Sequence, residues 1–260
     1  MQSFQLYAPG DSFLYRMDPR VKLIAVAAVF AVSVMFQDAR YLAPVFVSLL
    51  AIAVAGRVPI GRVALLLKSL AVLVLISLVL WPLIYHQGTV LFRVLGISVT
   101  TGGVEFGLGM AFRILDMVVA PIILFLTTSQ SDFVAGLRRL GLPYKAAFTL
   151  TMAFRFLPTV AGVGQTIVEA QRARGVDPSA GGMRERMRNY SRILGPLVIT
   201  SLRIAQQTIL AVEARAFSVG RTRTTLKVLV FRPGDVLAVG LLGAVLAAAI
   251  VLRLYGKGMV

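Results

Sequence analysis

Runs of apolar residues at about 21–36, 41–55, 63–85, 103–127 and 236–252 punctuate this 260-residue chain, each long enough or nearly long enough to cross a bilayer as a helix. A 16-residue helix covers only about 24 Å at 1.5 Å per residue, so the spans at 21–36, 41–55 and 236–252 depend on flanking residues, snorkelling or local thinning to complete the crossing. The first run follows Met17-Asp18-Pro19-Arg20-Val21-Lys22 and ends at Phe36-Gln37-Asp38 without a small-x-small cleavage pattern. It reads as a membrane span and not as a signal peptide.

Between residues 128 and 232 the pattern changes. Basic residues are spaced through apolar ones, as in Ala147-Phe-Thr-Leu-Thr-Met-Ala-Phe-Arg155-Phe-Leu157 and Ile193-Leu-Gly-Pro-Leu-Val-Ile-Thr-Ser-Leu-Arg203-Ile-Ala-Gln-Gln207. Both stretches are too polar for comfortable spans and too apolar for disorder, which predicts amphipathic helices that pack on a partner or lie in the interface. Gly141-Leu142-Pro143 starts one long helix, and Gly175 with Asp177-Pro178 stops it. A second begins near Met183, is bent or interrupted at Gly195-Pro196, and runs to about Phe217. Pro158, with Gly162 and Gly164, is expected to kink the first.

Composition agrees with this division: 58% hydrophobic residues and a mean hydropathy of +0.84 belong to a polytopic membrane protein. The net charge of +16 requires the basic residues to be gathered on one side of the lipid. With the N-terminus in the cytoplasm, 22 Lys and Arg fall inside and four outside, with Arg113 left within a span. The 128–232 region alone holds 16 basic and five acidic residues, a charge that anionic headgroups would also attract. The expected fold is therefore an all-α polytopic membrane protein of about five transmembrane helices with long amphipathic cytoplasmic helices. Its expected parts are a membrane domain of four spans over 1–127 with a cytoplasmic N-terminus, a cytoplasmic helical region over 128–232, and a final span over 233–260 whose C-terminus lies outside.

Little of the usual catalytic chemistry is present. There is no cysteine, and the single His86, near Trp81-Pro82 at a membrane edge, reads as an interfacial residue. Gly162-Val-Gly164-Gln-Thr166 lacks the lysine of a phosphate-binding loop, and neither a Gly-x-Ser-x-Gly elbow nor a metal-ligand spacing occurs. The chain is expected not to be an enzyme and to bind no cofactor or metal; if ATP drives it, another subunit holds the nucleotide. Within the membrane, Arg113 and Asp116 lie three apart on one span and form a candidate intramembrane pair. Gly103, Gly107 and Ala111, Gly240 with Ala244, and Gly243 with Ala247 repeat at a spacing that lets helix backbones approach closely.

Two arginine signatures remain: Glu169-Ala-Gln-Arg-Ala-Arg174-Gly175-Val-Asp-Pro178 and Glu213-Ala-Arg215-Ala-Phe-Ser-Val-Gly220-Arg-Thr-Arg223. Together with Pro9-Gly-Asp-Ser-Phe-Leu-Tyr-Arg-Met-Asp-Pro-Arg-Val-Lys-Leu23 and Phe154-Arg155-Phe-Leu-Pro158, they make nearly the whole chain resemble the transmembrane T component of energy-coupling factor transporters, a group that includes the T components of cobalt and biotin uptake systems. The resemblance implies a multi-pass protein of a prokaryotic cell membrane, working in an ATP-driven importer of a micronutrient, either a vitamin or a transition-metal ion. Its implied partners are the lipid bilayer, two cytoplasmic ATP-binding-cassette ATPase subunits that hold ATP and magnesium, and a small membrane subunit that captures the substrate; nucleic acid is not among them. The 128–232 region becomes a set of coupling helices, and the arginine at the centre of each tripeptide docks in a groove of one ATPase. Those residues are Arg174, flanked by Ala173 and Gly175, and Arg215, flanked by Ala214 and Ala216. Ala216 departs from the family, which more often has glycine there.

Two other readings compete. An ABC-type permease with its own substrate site would converge buried polar residues such as Arg113, Asp116 and Glu105. A basic membrane scaffold would bind anionic lipid or nucleic acid through many dispersed charges, with steep salt dependence.

Overall fold

The computed structural model describes residues 10–85, 89–94, 97–177, 181–215 and 231–255. His86, Ala216 and the Gly220–Arg223 signature lie outside them. The chain divides into two compact units, one formed by residues up to 142 and from 229 onward, the other by residues 143–228.

The first unit begins with a single turn, α1 (Phe13–Arg16), followed by α2 (Pro19–Met35) and α3 (Ala39–Ala55). Asp18 and Asp38 cap α2 and α3, each accepting the backbone N–H two residues on, at 2.9 and 3.1 Å. Pro19 then occupies the first helical position, where its missing N–H costs nothing. Next come α4 (Ile60–Ile84), a two-stranded antiparallel hairpin of β1 (Val90–Val94) and β2 (Ile97–Thr100), and α5 (Thr101–Thr127). This hairpin has no counterpart in the sequence reading, because its short β-branched runs lie between two much stronger helical patterns. The unit closes with α6 (Gln130–Arg139) and, after the second unit, α9 (Pro233–Leu254).

Helix α5 is the centre of this unit and packs against α2, α3 and α4. Small residues make that possible. A side chain at Gly109 would collide with the Gln37 carbonyl between α2 and α3, while Gly107 faces Pro82 and Ser77 of α4. The Gly103/Gly107/Ala111 repeat is thus a packing face, whereas Gly240 and Gly243 of α9 face open space. The main apolar core joins Leu49, Ala53, Val119, Ile123 and Leu126.

Two charged side chains, one basic and one acidic, tie the helix ends together. Lys22, only 6% exposed, donates through Nζ to the Thr127 carbonyl at 3.0 Å and to Thr128 Oγ1 at 3.2 Å, placing an ammonium on the C-terminal end of α5. Sequence counting assigns Lys22 to the rim of the first span; the structure buries it. Asp235 pins α9, accepting the Arg232 N–H at 2.9 Å and the Asp18 N–H at 3.1 Å.

The second unit is two long helices, α7 (Tyr144–Ala173) and α8 (Met183–Ala214). Both run on through their internal prolines, Pro158 and Pro196, so α8 is not interrupted at Gly195-Pro196. By length and composition α4, α5, α7, α8 and α9 are able to cross a membrane, while α3 is a shorter apolar helix. The sequence reading instead takes its five spans from α2, α3, α4, α5 and α9. A window average across a 30-residue amphipathic helix counts its apolar residues without asking which face they occupy, which is why α7 and α8 qualify.

Candidate functional site

The arginine signatures sit at the ends of α7 and α8, and local chemistry sets how each ends. In α7, Arg174 is the C-cap residue, and Gly175 follows with φ +80. The Gly175 N–H donates to the Arg172 carbonyl and the Val176 N–H to the Gln171 carbonyl, both at 2.9 Å. This pattern needs a left-handed residue after the cap. A β-carbon on Gly175 would meet no atom within 4 Å, so backbone conformation and not space demands glycine. Arg174 and Ala173 are left exposed on the last turn. The same closure ends α6, where Gly141 has φ +113 and Leu142 donates to the Leu137 carbonyl at 3.0 Å.

The turn beyond Gly175 is anchored. Buried Asn189 donates to the Asp177 carbonyl at 3.1 Å, and Gln171 donates to the Arg192 carbonyl at 3.4 Å, joining the end of α7 to the early part of α8. From Arg192 to Arg215, α8 continues for 23 residues, about 34 Å at 1.5 Å per residue. Arg174 and Arg215 therefore address two separate places. Arg215 is the C-cap of α8 and exposed, as is Ala214 beside it.

Between these ends the two helices bury almost nothing within the chain: Ala147 in α7, Asn189 and Ile193 in α8. Exposed Met187, Tyr190, Leu194, Val198 and Leu202 follow one another at three- and four-residue intervals along α8. That spacing makes one continuous apolar stripe, the form an amphipathic helix presents to a partner or to lipid.

The candidate intramembrane pair is not formed. Arg113 donates through Nε to the Ser33 carbonyl at 2.7 Å and through Nη2 to the Phe36 carbonyl at 2.6 Å. Its guanidinium is spent on the C-terminal carbonyls of α2, which have no partners within their own helix and carry the negative end of its dipole. Asp116 is fully buried, and among the described residues neither of its carboxylate oxygens has a hydrogen-bond partner. Glu105 is elsewhere again, paired with Arg40 at 3.1 Å on the surface. Residue spacing along α5 puts Arg113 and Asp116 within reach of each other, but it gives no sign of the better acceptors α2 supplies from 80 residues away.

Comparison with known proteins gives a consistent pattern. The family CbiQ, described as cobalt transport protein, matches residues 10–226. The chain is similar to the energy-coupling factor transporter transmembrane protein EcfT of Acidaminococcus fermentans, with 31% identity over 255 residues, covering 95% of this chain and 93% of that one. It is similar to the protein of the same name from Brevibacillus brevis, 32% identical over 247 residues and covering 91% and 93% of the two chains. The corresponding protein of Listeria innocua is 31% identical over 237 residues, 88% of this chain and 89% of its own.

Proposed function

We propose, starting from the fact that the chain belongs to the CbiQ family of cobalt transport proteins, that it is the membrane-embedded energy-coupling subunit of an ATP-driven micronutrient importer. At the coarser level it is a multi-pass prokaryotic membrane protein and a transmembrane component of an energy-coupling factor transporter. The finer reading assigns ATP hydrolysis to two cytoplasmic ATPase subunits and capture of the cargo, a vitamin or a transition-metal ion, to a separate small membrane protein.

The observation that carries this reading is the second unit: two long helices with almost no burial of their own, each ending in an exposed arginine, the two ends too far apart to share one pocket. An exposed guanidinium on a helix end offers several donors to carboxylates and backbone carbonyls, and small neighbours such as Ala173, Gly175 and Ala214 allow a groove to close around it. Each arginine docks one ATPase. When ATP draws the ATPases together, the ends of α7 and α8 move with them, the crossing of the helices changes, and the apolar stripe of α8 reorients the substrate-binding subunit. Such a mechanism needs two discrete arrangements of one packed element, both biased by the ATPases.

The test is co-purification of the chain with its ATPases from native membranes at low and high salt, together with uptake of labelled substrate. Arg174→Ala and Arg215→Ala each weaken ATPase capture, and the double variant abolishes uptake while the chain still inserts; full uptake by the double variant overturns the proposal. A permease with its own site is disfavoured because Glu105, Arg113 and Asp116 do not converge: the first pairs with Arg40 and the second with α2 carbonyls.

A further inference from the structure

A cavity of about 330 Å³ lies in the first unit between α2, α3, α5 and α9, and the coupling mechanism makes no use of it. Its walls are apolar, with Lys22 and Thr127 the only polar residues lining it among the described residues. The cavity exists because of how α9 is attached. At its N-terminal end Asp235 holds the Asp18 N–H, and at the other end Arg253 donates to the Met35 carbonyl at 2.8 Å. Near that second end Ala249 fills the space against Val32, Phe36 and Leu42. Towards the first end no comparable filling occurs among the described residues, and Leu237 and Leu241, which line the cavity, are 76% and 67% exposed. The slot is thus closed at one end of α9 and open sideways along the other.

A second cavity, of about 620 Å³, adjoins the open end and shares Phe13, Met17 and Ala238 with the first. It is lined by the guanidinium-bearing Arg16 and Arg232 and by two carboxylates, Asp11 and Asp235. The carboxylates do not neutralise the arginines tightly. Asp11 lies 3.7 Å from Arg16, with the two side chains 96% and 63% exposed, and Asp235 is committed to two backbone N–H groups. An apolar slot open to the side therefore ends in a mouth with two available guanidinium groups.

We propose that this is a binding site for one anionic phospholipid of the surrounding bilayer, an acyl chain lying in the slot and its phosphate held between Arg16 and Arg232. The slot matches the small end of the roughly 300–1,000 Å³ range of ligand sites and has too few polar groups to hold a polar solute. Arginine's fork matches the phosphate oxygens of either headgroup, and the mouth selects an anionic over a zwitterionic one because the latter brings an ammonium beside two guanidinium groups. The bound lipid braces α9 against α3 and α5, where the protein itself leaves a gap.

The experiment uses the full chain in mild detergent with phosphatidylglycerol carrying a diazirine on its acyl chain, followed by irradiation and mapping of adducts by mass spectrometry. Adducts are expected on Ile52 and Leu241 in excess over Leu65 and Val72, which are exposed on α4 and line neither cavity. A matched phosphatidylcholine probe is expected to label the slot about thirtyfold less, the preference that two basic contacts provide. Ala238→Trp fills the junction of the two cavities and removes the slot adducts. If that variant does not fold, Arg16→Gln with Arg232→Gln decides the question, because these exposed side chains are replaceable without loss of folding and their loss equalises the two probes. Equal labelling of the slot and α4, equal labelling by the two probes in the parent protein, or unchanged slot labelling in a folded Ala238→Trp protein each overturns the proposal.

Discussion

Helix α5 and the pair α7 and α8 are all long and apolar enough to cross a bilayer, yet α5 buries twelve residues inside the chain while α7 buries one and α8 two. Hydropathy is higher on α5 than on α7 and α8, but it does not decide burial by itself, because α4 and α9 are more apolar still and bury little. On α5, Gly107 and Gly109 bring neighbouring backbones into contact, and the polar Arg113 is spent on carbonyls of α2. On α7 and α8, Gly162 and Gly195 face open space, and threonines such as Thr149, Thr151 and Thr208 satisfy themselves on carbonyls one turn back. A helix of the first kind completes a fold. One of the second kind needs lipid or another protein to cover it.

Gly109→Leu is the substitution expected to break the first kind most severely. The atom it meets is a backbone carbonyl, so the cost exceeds the ~1–3 kcal/mol of ordinary overpacking, and size-exclusion profiles in detergent should show loss of monodisperse protein. Gly195→Leu on α8 should leave that profile unchanged; an equal loss there would erase the distinction between the two regions.

The arginines sharpen it further. Arg113→Ala removes two hydrogen bonds from a charged donor to buried carbonyls, a loss of about 2–3 kcal/mol of stability, readable as a lower melting temperature. Arg174→Ala should leave melting within about 0.5 kcal/mol of the parent, as exposed substitutions do, and show itself only in weaker ATPase capture.

Smaller effects are expected at two further positions. Asp116→Leu replaces a buried carboxyl without hydrogen-bond partners by an apolar side chain and should raise stability by about 1–2 kcal/mol; a lower melting temperature would mean that the carboxyl has a partner after all. Gly175→Ala forces an L-residue into the left-handed region at a cost of about 1 kcal/mol. Its effect should be confined to faster amide exchange near Val176 and a modest fall in ATPase affinity, with the first unit unaffected.

Much of the second unit was legible in the sequence because its features are local. Gly141-Leu-Pro143 and Gly175 mark where α6 ends and α7 starts and stops, since a left-handed glycine and a proline act within a few residues. The basic residues spaced through apolar ones over 193–207 likewise mark α8 as amphipathic, while the exposed stripe from Met187 to Leu202 came from the structure. The hairpin between α4 and α5 was missed because four- and five-residue strands carry a weak periodic signal beside two long apolar helices. The expected pairing of Arg113 with Asp116 failed for a related reason: side-chain spacing along one helix says which groups are able to meet and is silent about competing partners on another.

By itself the sequence determined the class of protein, the ends of most helices and the exposed arginine at the end of α7, because hydropathy, capping and charge segregation act over one turn or one span. Only the tertiary structure decided that α5 is the centre, that Lys22 clamps the end of α5, and that α9 leaves a lipid-sized slot beside α2. Those outcomes rest on contacts between residues 105 and 217 positions apart. No local pattern encodes such contacts, because each is the result of a competition among all the helices that pack together.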